Sequence, residues 1–319
     1  MNGVLVVDKP AGITSHDVVA RVRRILHERR VGHTGTLDPF ATGVMVLLVG
    51  RATRLAQFLS GAEKEYEAIV RFGYATETGD ATGAVRQDTV RLMDEEAFAT
   101  FSETRIEAAL ESLRGAQEQV PPMYSAKKVG GQKLYELARR GIEIERQPAR
   151  IFVREFEAIK HDGGAGVRRN EDGTLDMRAR VVCSAGTYVR VLAESLGARF
   201  GTGAHLAALR RTCAGTFKIA DAMSLDELQQ ITEAGAATKV ILSPYAALPE
   251  LPLLHLTEQD ARAARNGVAM RINEASLKEA MLSDGCYVRL CDVSGELLAI
   301  GVYDAMKMLV RPRVLIASE

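Results

Sequence analysis

The chain has 319 residues, 47% hydrophobic and 26% charged, a globular composition long enough for one large domain and a small one. It has no run of about 18 apolar residues, which excludes a membrane-spanning helix. Its 41 basic and 41 acidic residues cancel, which argues against a uniformly basic nucleic-acid binder but leaves room for segregated faces.

The opening MNGVLVVDKP enters a strand with neither a basic leader nor a small-residue cleavage site, so a cytoplasmic protein is expected. GVLVVDK (3–9) predicts a strand closed by the turn KPAG. Ser15 is placed to cap a helix whose apolar positions Val18, Val19, Val22, Ile25 and Leu26 keep a helical period. Arg21, Arg23, Arg24, Arg29 and Arg30 decorate that helix and its end. VGHTGTLDPFATG (31–43) resembles no helix or strand and is expected as a loop, anchored by the buried strand VMVLLVG (44–50). ATRLAQFLS predicts a short helix, YEAIVRFG (66–73) a strand, and the polar YATETGDATGAV (74–85) a loop.

Residues 94–113 predict one helix, and QKLYELARRG (132–141) another with a glycine stop. Strands near 150–160 and 175–183 flank HDGGAGVRRNEDG, a long polar loop expected to be mobile. TYVRVLAESLGARFG (187–201) predicts an amphipathic helix, and LRRTCAGTFKI (209–219) a strand. Without a regular βαβ rhythm, the pattern favours an α+β fold with a mainly antiparallel sheet. SPYAALPELPLL (243–254) holds three prolines and reads as a linker. A helix near 257–266 and a hairpin over CYVRLCDVSGELLAIGVYD (286–304) then predict a small β-rich C-terminal domain.

Four cysteines (Cys183, Cys213, Cys286, Cys291) lack CxxC spacing and read as reduced structural thiols; six histidines lack metal-ligand spacing, so no metal site is expected. Charge is segregated: 127–154 carries eight Lys/Arg against three Glu, whereas 84–120 carries eight acids against four Arg. A basic face beside an acidic one and a solvated mixed surface are both compatible with this.

The 31–43 loop poses the chemical question. Asp38 precedes Pro39, which favours extended backbone, and Gly32, Gly35 and Gly43 permit sharp bends or close approach. An aspartate here either caps its own turn or acts as a nucleophile at a glycosidic bond. The phosphate-loop pattern GxxxxGK[ST] is absent. A nucleophilic role requires a cation to keep the carboxyl ionised; Arg190 is the candidate, or else a surface helix arginine. Tyr66 and Tyr188 offer faces for stacking a base, or else pack the core.

GHTGTLDPFATG resembles, almost letter for letter, the catalytic motif of the TruB family of tRNA pseudouridine synthases. NGVLVVDKPAGITSHD, KEYEAIVRFGYATETGDATG, PPMYSAKKVGGQKLYELARRGIEIER, CSAGTYVRVLAESLG and GAHLAALRRT resemble the family's other blocks, in family order, over about residues 2–220. GELLAIG resembles, more loosely, a PUA-like RNA-binding domain. The resemblance implies a pseudouridine synthase fold over 1–242 with an RNA-binding insertion at about 123–145, the linker 243–254, and a PUA-like domain over 255–319. It implies conversion of uridine 55 in the TΨC loop of tRNA to pseudouridine, with no cofactor and no metal. The implied partner is the tRNA T-arm, met by a monomer that needs no protein partner and no membrane.

Roles follow one position at a time. Asp38 is the implied nucleophile and Arg190 the arginine that pairs with it. Tyr66 packs on the flipped base, His33 helps displace the uridine from its stack, and Tyr188 and Leu209 line the substrate pocket. Asp80 matches a family loop acid near the site; Lys9 and Pro10 match a supporting block. Lys127, Lys128, Lys133, Arg139 and Arg140 are expected on phosphate, on a segment that moves or orders when RNA binds. Phe40 stands where leucine is more usual. The loop from His161 is longer than in compact members, and its arginines offer further RNA contacts. Two rival readings share the fold: an RNA-binding or RNA-folding protein without catalysis, and an RNA-guided enzyme working inside a ribonucleoprotein.

Overall fold

The computed structural model of the chain describes residues 1–91, 93–160, 166–273 and 280–317. Its strands in chain order are β1 (Gly3–Lys9), β2 (Val31–His33), β3 (Thr42–Val49), β4 (Lys64–Phe72), β5 (Gly115–Gln119), β6 (Lys128–Val129), β7 (Gln132–Lys133), β8 (Ala149–Ala158), β9 (Arg168–Arg169), β10 (Leu175–Cys183), β11 (Ala204–Ala214) and β12 (Phe217–Lys218). Five more follow: β13 (Leu253–His255), β14 (Met270–Arg271), β15 (Tyr287–Cys291), β16 (Leu297–Asp304) and β17 (Leu309–Leu315). The large sheet runs β1-β3-β11-β4-β10-β8-β5, with β2 on β3, β12 on β11 and β9 on β10. Its pairings among the described residues are antiparallel, save one short parallel seam where Thr42 and Gly43 of β3 face Arg210 and Arg211 of β11. This is the expected α+β class.

The seam divides two differently covered halves. β1 and β3 are unbroken apolar runs because both their faces are buried. Leu5, Val7, Met45, Leu47 and Val49 pack on helices α1 (Ser15–Ile25) and α7 (Leu225–Glu233), while Val4, Val6, Val44, Val46 and Leu48 pack beneath Phe217 and Ala247. Beyond the seam, β4 alternates buried and half-buried residues, and its inner face shares a core with α4 (Glu103–Glu111) and α6 (Val189–Arg199). Truncating a fully buried leucine in either core, such as Leu47→Ala, costs about 2–5 kcal/mol.

Several local expectations need correction. The cap of α1 is Thr14, in a capping box with Asp17; Ser15 lies inside the helix and faces elsewhere. The single helix over 94–113 is two, α3 (Glu95–Ala99) and α4, begun separately by Asp94 and Ser102 as caps. The break lets Phe101 into the core, edge-on to Phe72 and stacked on Phe200. Residues 31–33, expected as loop, pair as β2 with β3, and Gln132–Lys133 pair as β7 before the helix α5 (Leu134–Ala138). The short helix after β3 is a 3₁₀ segment (Gly50–Leu55) running into α2 (Ala56–Leu59). Residues 161–165 of the expected mobile loop lie outside the described residues; its later part pairs as β9 with β10. There Arg169 is engaged by Glu95 and the Met93 carbonyl.

The C-terminal strands form their own sheet, β13-β15-β16-β17-β14, with helix α8 (Glu258–Arg265) and a separate apolar core. A further apolar cluster joins Ala52 and Leu55 to Leu248, Leu297, Ile300 and Ile316, so this sheet rests on the segment after β3. The proline-rich stretch is pinned in place: Arg289 donates to the carbonyls of Leu251, Tyr245 and Pro249 and lies over the Tyr245 ring. No described helix is long and apolar enough to cross a membrane.

Candidate active site

The loop carrying Asp38 leaves β2 and re-enters the sheet at the parallel seam, where three distant side chains hold its backbone. Lys9, fully buried at the end of β1, donates to the carbonyls of Pro39 (3.2 Å) and Ala41 (2.7 Å) as well as Pro10 (2.8 Å). Ser15 Oγ donates to Leu37 O (3.0 Å) and accepts from Leu37 N (2.9 Å). Arg211, 2% exposed, donates to Val44 O (2.6 Å), Gly35 O (3.1 Å) and Thr36 O (3.5 Å). Within the loop, Ala41 N–H donates to Asp38 O (3.1 Å). Of its three glycines only Gly43 is demanded by geometry: its φ is +104°, and a Cβ there would lie 2.2 Å from Arg211 O.

Asp38 projects from this clamped backbone toward α6. Arg190 Nε lies 2.8 Å from Asp38 Oδ2, and Arg190 Nη2 donates to Asp38 Oδ1 at 3.3 Å. The arginine side chain is 4% exposed, whereas the aspartate keeps 31% of its surface open to the pocket. The guanidinium also donates to Thr78 O (2.6 Å) and Tyr124 O (2.7 Å), so three chain segments fix its orientation. Burial is the largest influence on the Asp38 carboxyl and pushes it above its ordinary value; Arg190 pulls the other way and Asp80 adds to the rise. Burial also lowers the Lys9 ammonium to about 8, against the pull of Asp38.

The pocket beside this pair holds about 240 Å³. Its walls include Thr34–Asp38, Lys64 and Tyr66 from β4, Ser125, the turn 184–188, and Leu209 and Arg211 from β11. Tyr66 and Arg211 are cross-strand partners, and alternation along β4 puts Lys64 on the same face as Tyr66. Burial raises the Tyr66 phenol, which keeps it neutral, and lowers the Lys64 ammonium to about 8. Gln119 holds Tyr188 in place, donating to its carbonyl (3.2 Å) and accepting from its N–H (2.8 Å).

The structure thus gathers Asp38, Tyr66, Arg190, Tyr188 and Leu209 around one cavity. Asp80 lies outside the wall: buried, its carboxylate accepts from Thr78 Oγ1 (2.9 Å) and Thr82 N (2.9 Å), shaping the turn whose Thr78 carbonyl holds Arg190. His33 also lies outside it, at the end of β2, half-buried and edge-on to the exposed His16 ring. Burial, then His16 and Arg211, lower its imidazole. Lys127, Lys128, Arg139 and Arg140 are exposed, without a carboxylate in salt-bridge range among the described residues. Lys133 instead lies over the Tyr135 ring and 3.9 Å from Glu136.

A family model for the N-terminal domain of TruB family pseudouridylate synthases matches residues 23–189, and one for the C-terminal domain of tRNA pseudouridylate synthase B matches 190–248. The chain belongs to the TruB family. It is 44% identical to tRNA pseudouridine synthase B of Geobacillus thermodenitrificans, over 85% of this chain and 86% of that protein. It is 40% identical to the protein of that name from Bacillus cytotoxicus, over 97% and 98%. Among solved structures it is similar to a Cbf5-Nop10-Gar1 complex, with a TM-score of 0.66 and 26% identity over 99% of this chain and 84% of that one.

Sequence reasoning missed Ser15, Gln119, Ser125, Lys64 and Arg211. All but Gln119 sit within stretches that resemble TruB blocks, which was the available signal. Their tasks depend on contacts far along the chain, such as the 175 residues that separate Arg211 from Thr36. Phe40, the departure in the motif, packs against the main core.

Proposed function

We propose that this protein isomerises uridine to pseudouridine at position 55 in the TΨC loop of tRNA, with Asp38 as the nucleophile. The observation that carries the reading is the Asp38–Arg190 pair beside a nucleotide-sized pocket, on a backbone held by Lys9, Ser15 and Arg211. The reaction breaks the N1–C1′ bond, turns the uracil and joins C5 to C1′; the C5 hydrogen leaves as a proton and N1 gains one. No electrons are exchanged, so the step calls for no redox partner. Arg190 keeps Asp38 ionised and pointed against the upward pressure of burial. Tyr66 lends a flat neutral face to the flipped base, Tyr188 and Leu209 complete its walls, and Asp80 acts through Arg190.

His33 stands outside the pocket wall, a place suited to occupying the gap left in the RNA stack. The exposed cations of the 123–145 arm hold phosphates and give affinity rather than sequence choice. The C-terminal β domain adds RNA contact. The reading makes the protein a cytoplasmic monomer acting without a protein partner. The likeness to a Cbf5-Nop10-Gar1 complex favours a rival in which partner proteins are needed.

One assay separates them: tritium release from tRNA carrying [5-³H]uridine, with no other protein present. Release that disappears when only uridine 55 is replaced by cytidine supports the reading. Release that requires added protein or guide RNA overturns it in favour of the rival. Binding without any release leaves an RNA-folding protein.

A further inference from the structure

The basic arm begins at the pocket wall itself. Tyr124 O accepts from Arg190 Nη2 (2.7 Å), and Ser125 O accepts from Tyr135 N (3.1 Å), which ties the arm's helix to the same point. The Ser125 side chain stands apart from these bonds. The residue is 4% exposed and lines the pocket, yet its Oγ meets no hydrogen-bond partner among the described residues. Neighbouring polar groups differ. Ser184 Oγ accepts from Phe152 N (2.9 Å), and Arg190 Nε, the other buried pocket atom without a hydrogen bond among the described residues, is matched by the carboxylate of Asp38. A buried hydroxyl left unpaired works against the fold, and a site keeps one where a ligand completes it.

We infer that Ser125 Oγ hydrogen-bonds the target uridine, so that the arm holds the reacting nucleotide as well as the RNA backbone. The inference rests on the pseudouridine synthase reading above. Ser125 follows the residue whose carbonyl holds Arg190, which places it beside the ion pair and thus beside the glycosidic bond. The ribose 2′-hydroxyl, which donates and accepts as serine does, is the group it fits there. A uracil edge oxygen is the other acceptor on the same nucleotide.

The test measures inhibition by two T-arm RNAs that do not react further, bearing pseudouridine or 2′-deoxypseudouridine at the target position. Wild type, Ser125→Ala and Ser125→Thr are compared, with kcat/KM for tritium release and thermal melts alongside. Ser125→Ala is expected to bind the pseudouridine RNA roughly three- to tenfold more weakly and to lose kcat/KM by a similar factor. Its Tm is expected to hold or rise, because an unpaired hydroxyl is removed, and Ser125→Thr is expected to recover most of the loss. A sugar contact makes the two proteins equal on the deoxy RNA; a base-edge contact leaves the same loss on both RNAs, and either supports the inference. Ser125→Ala indistinguishable from wild type on the pseudouridine RNA overturns it, as does a loss that tracks a lowered Tm and is not recovered by threonine. Wild-type protein that releases no label overturns the underlying reading instead.

Discussion

The 31–43 loop and the 123–145 arm border the same pocket and are built in opposite ways. In the loop, the carbonyls of residues 35 to 39 and of Ala41 are each engaged, most of them by Lys9, Ser15 or Arg211. The arm carries Lys128 and Lys133 on two two-residue strands and Arg139 and Arg140 just past a five-residue helix, with Leu134 and Leu137 as the buried side chains of that helix. A carboxylate that must meet one bond needs a fixed approach, because an error of an ångström costs orders of magnitude in rate. Phosphate recognition tolerates adjustment, so charge on a lightly anchored ribbon serves it. Anchoring is dense where the chemistry is proposed and sparse where contact with the RNA backbone is proposed.

That contrast yields graded expectations. Arg190→Ala should lower the saturating tritium-release rate roughly a hundredfold or more, since it strips Asp38 of its partner; a rate within tenfold of wild type would detach the pair from the chemistry. Gly43→Ala should cost at least about 3 kcal/mol in denaturant unfolding, because a Cβ at positive φ meets Arg211 O at the seam. The same change at Gly131, also at positive φ but with open space around its Cβ, should cost less than half as much.

Acidification should separate the two regions next. Burial raises the Asp38 carboxyl, so the rate should fall as pH drops through a midpoint above the ordinary 3.8, while RNA affinity does not follow that midpoint. The stability sign is opposite to that of a salt-bridged surface carboxylate. The folded state holds the Asp38 proton longer than the unfolded chain, so this group's contribution to stability falls as pH rises through the window. A pH–rate profile with no acidic limb above 3.8 would count against an Asp38 governed by burial. The smallest effect belongs to the arm: Lys127→Ala and Lys128→Ala should each weaken tRNA binding roughly three- to fivefold and reduce the salt slope by about one, with the saturating rate unchanged.

The two regions also differ in how readable they are. The strands and the Asp38 motif are legible because apolar runs, alternation and a family block are local properties of the chain. The clamps are not, because Ser15 reads as a helix cap until the fold brings Leu37, 22 residues on, against its hydroxyl. Gly32 and Gly35 look like backbone necessities, yet a Cβ meets only ordinary contacts at either; the requirement at Gly43 arises from Arg211, on a strand that arrives much later in the chain. The split of 94–113 into two helices escapes periodicity because Ser102 acts as a cap only once Phe101 has somewhere to go. In the arm, the exposed cations were legible as charge, but the position of Ser125 in the pocket wall was not.

The most direct measurement is single-turnover tritium release from T-arm RNA by Asp38→Ala beside wild type, with RNA affinity measured on both. The account predicts release by wild type, none detectable from Asp38→Ala, and affinities within about twofold, as expected when phosphate contacts dominate binding. Release by Asp38→Ala at a rate near that of wild type would contradict it, and would leave the clamped loop without its catalytic carboxylate.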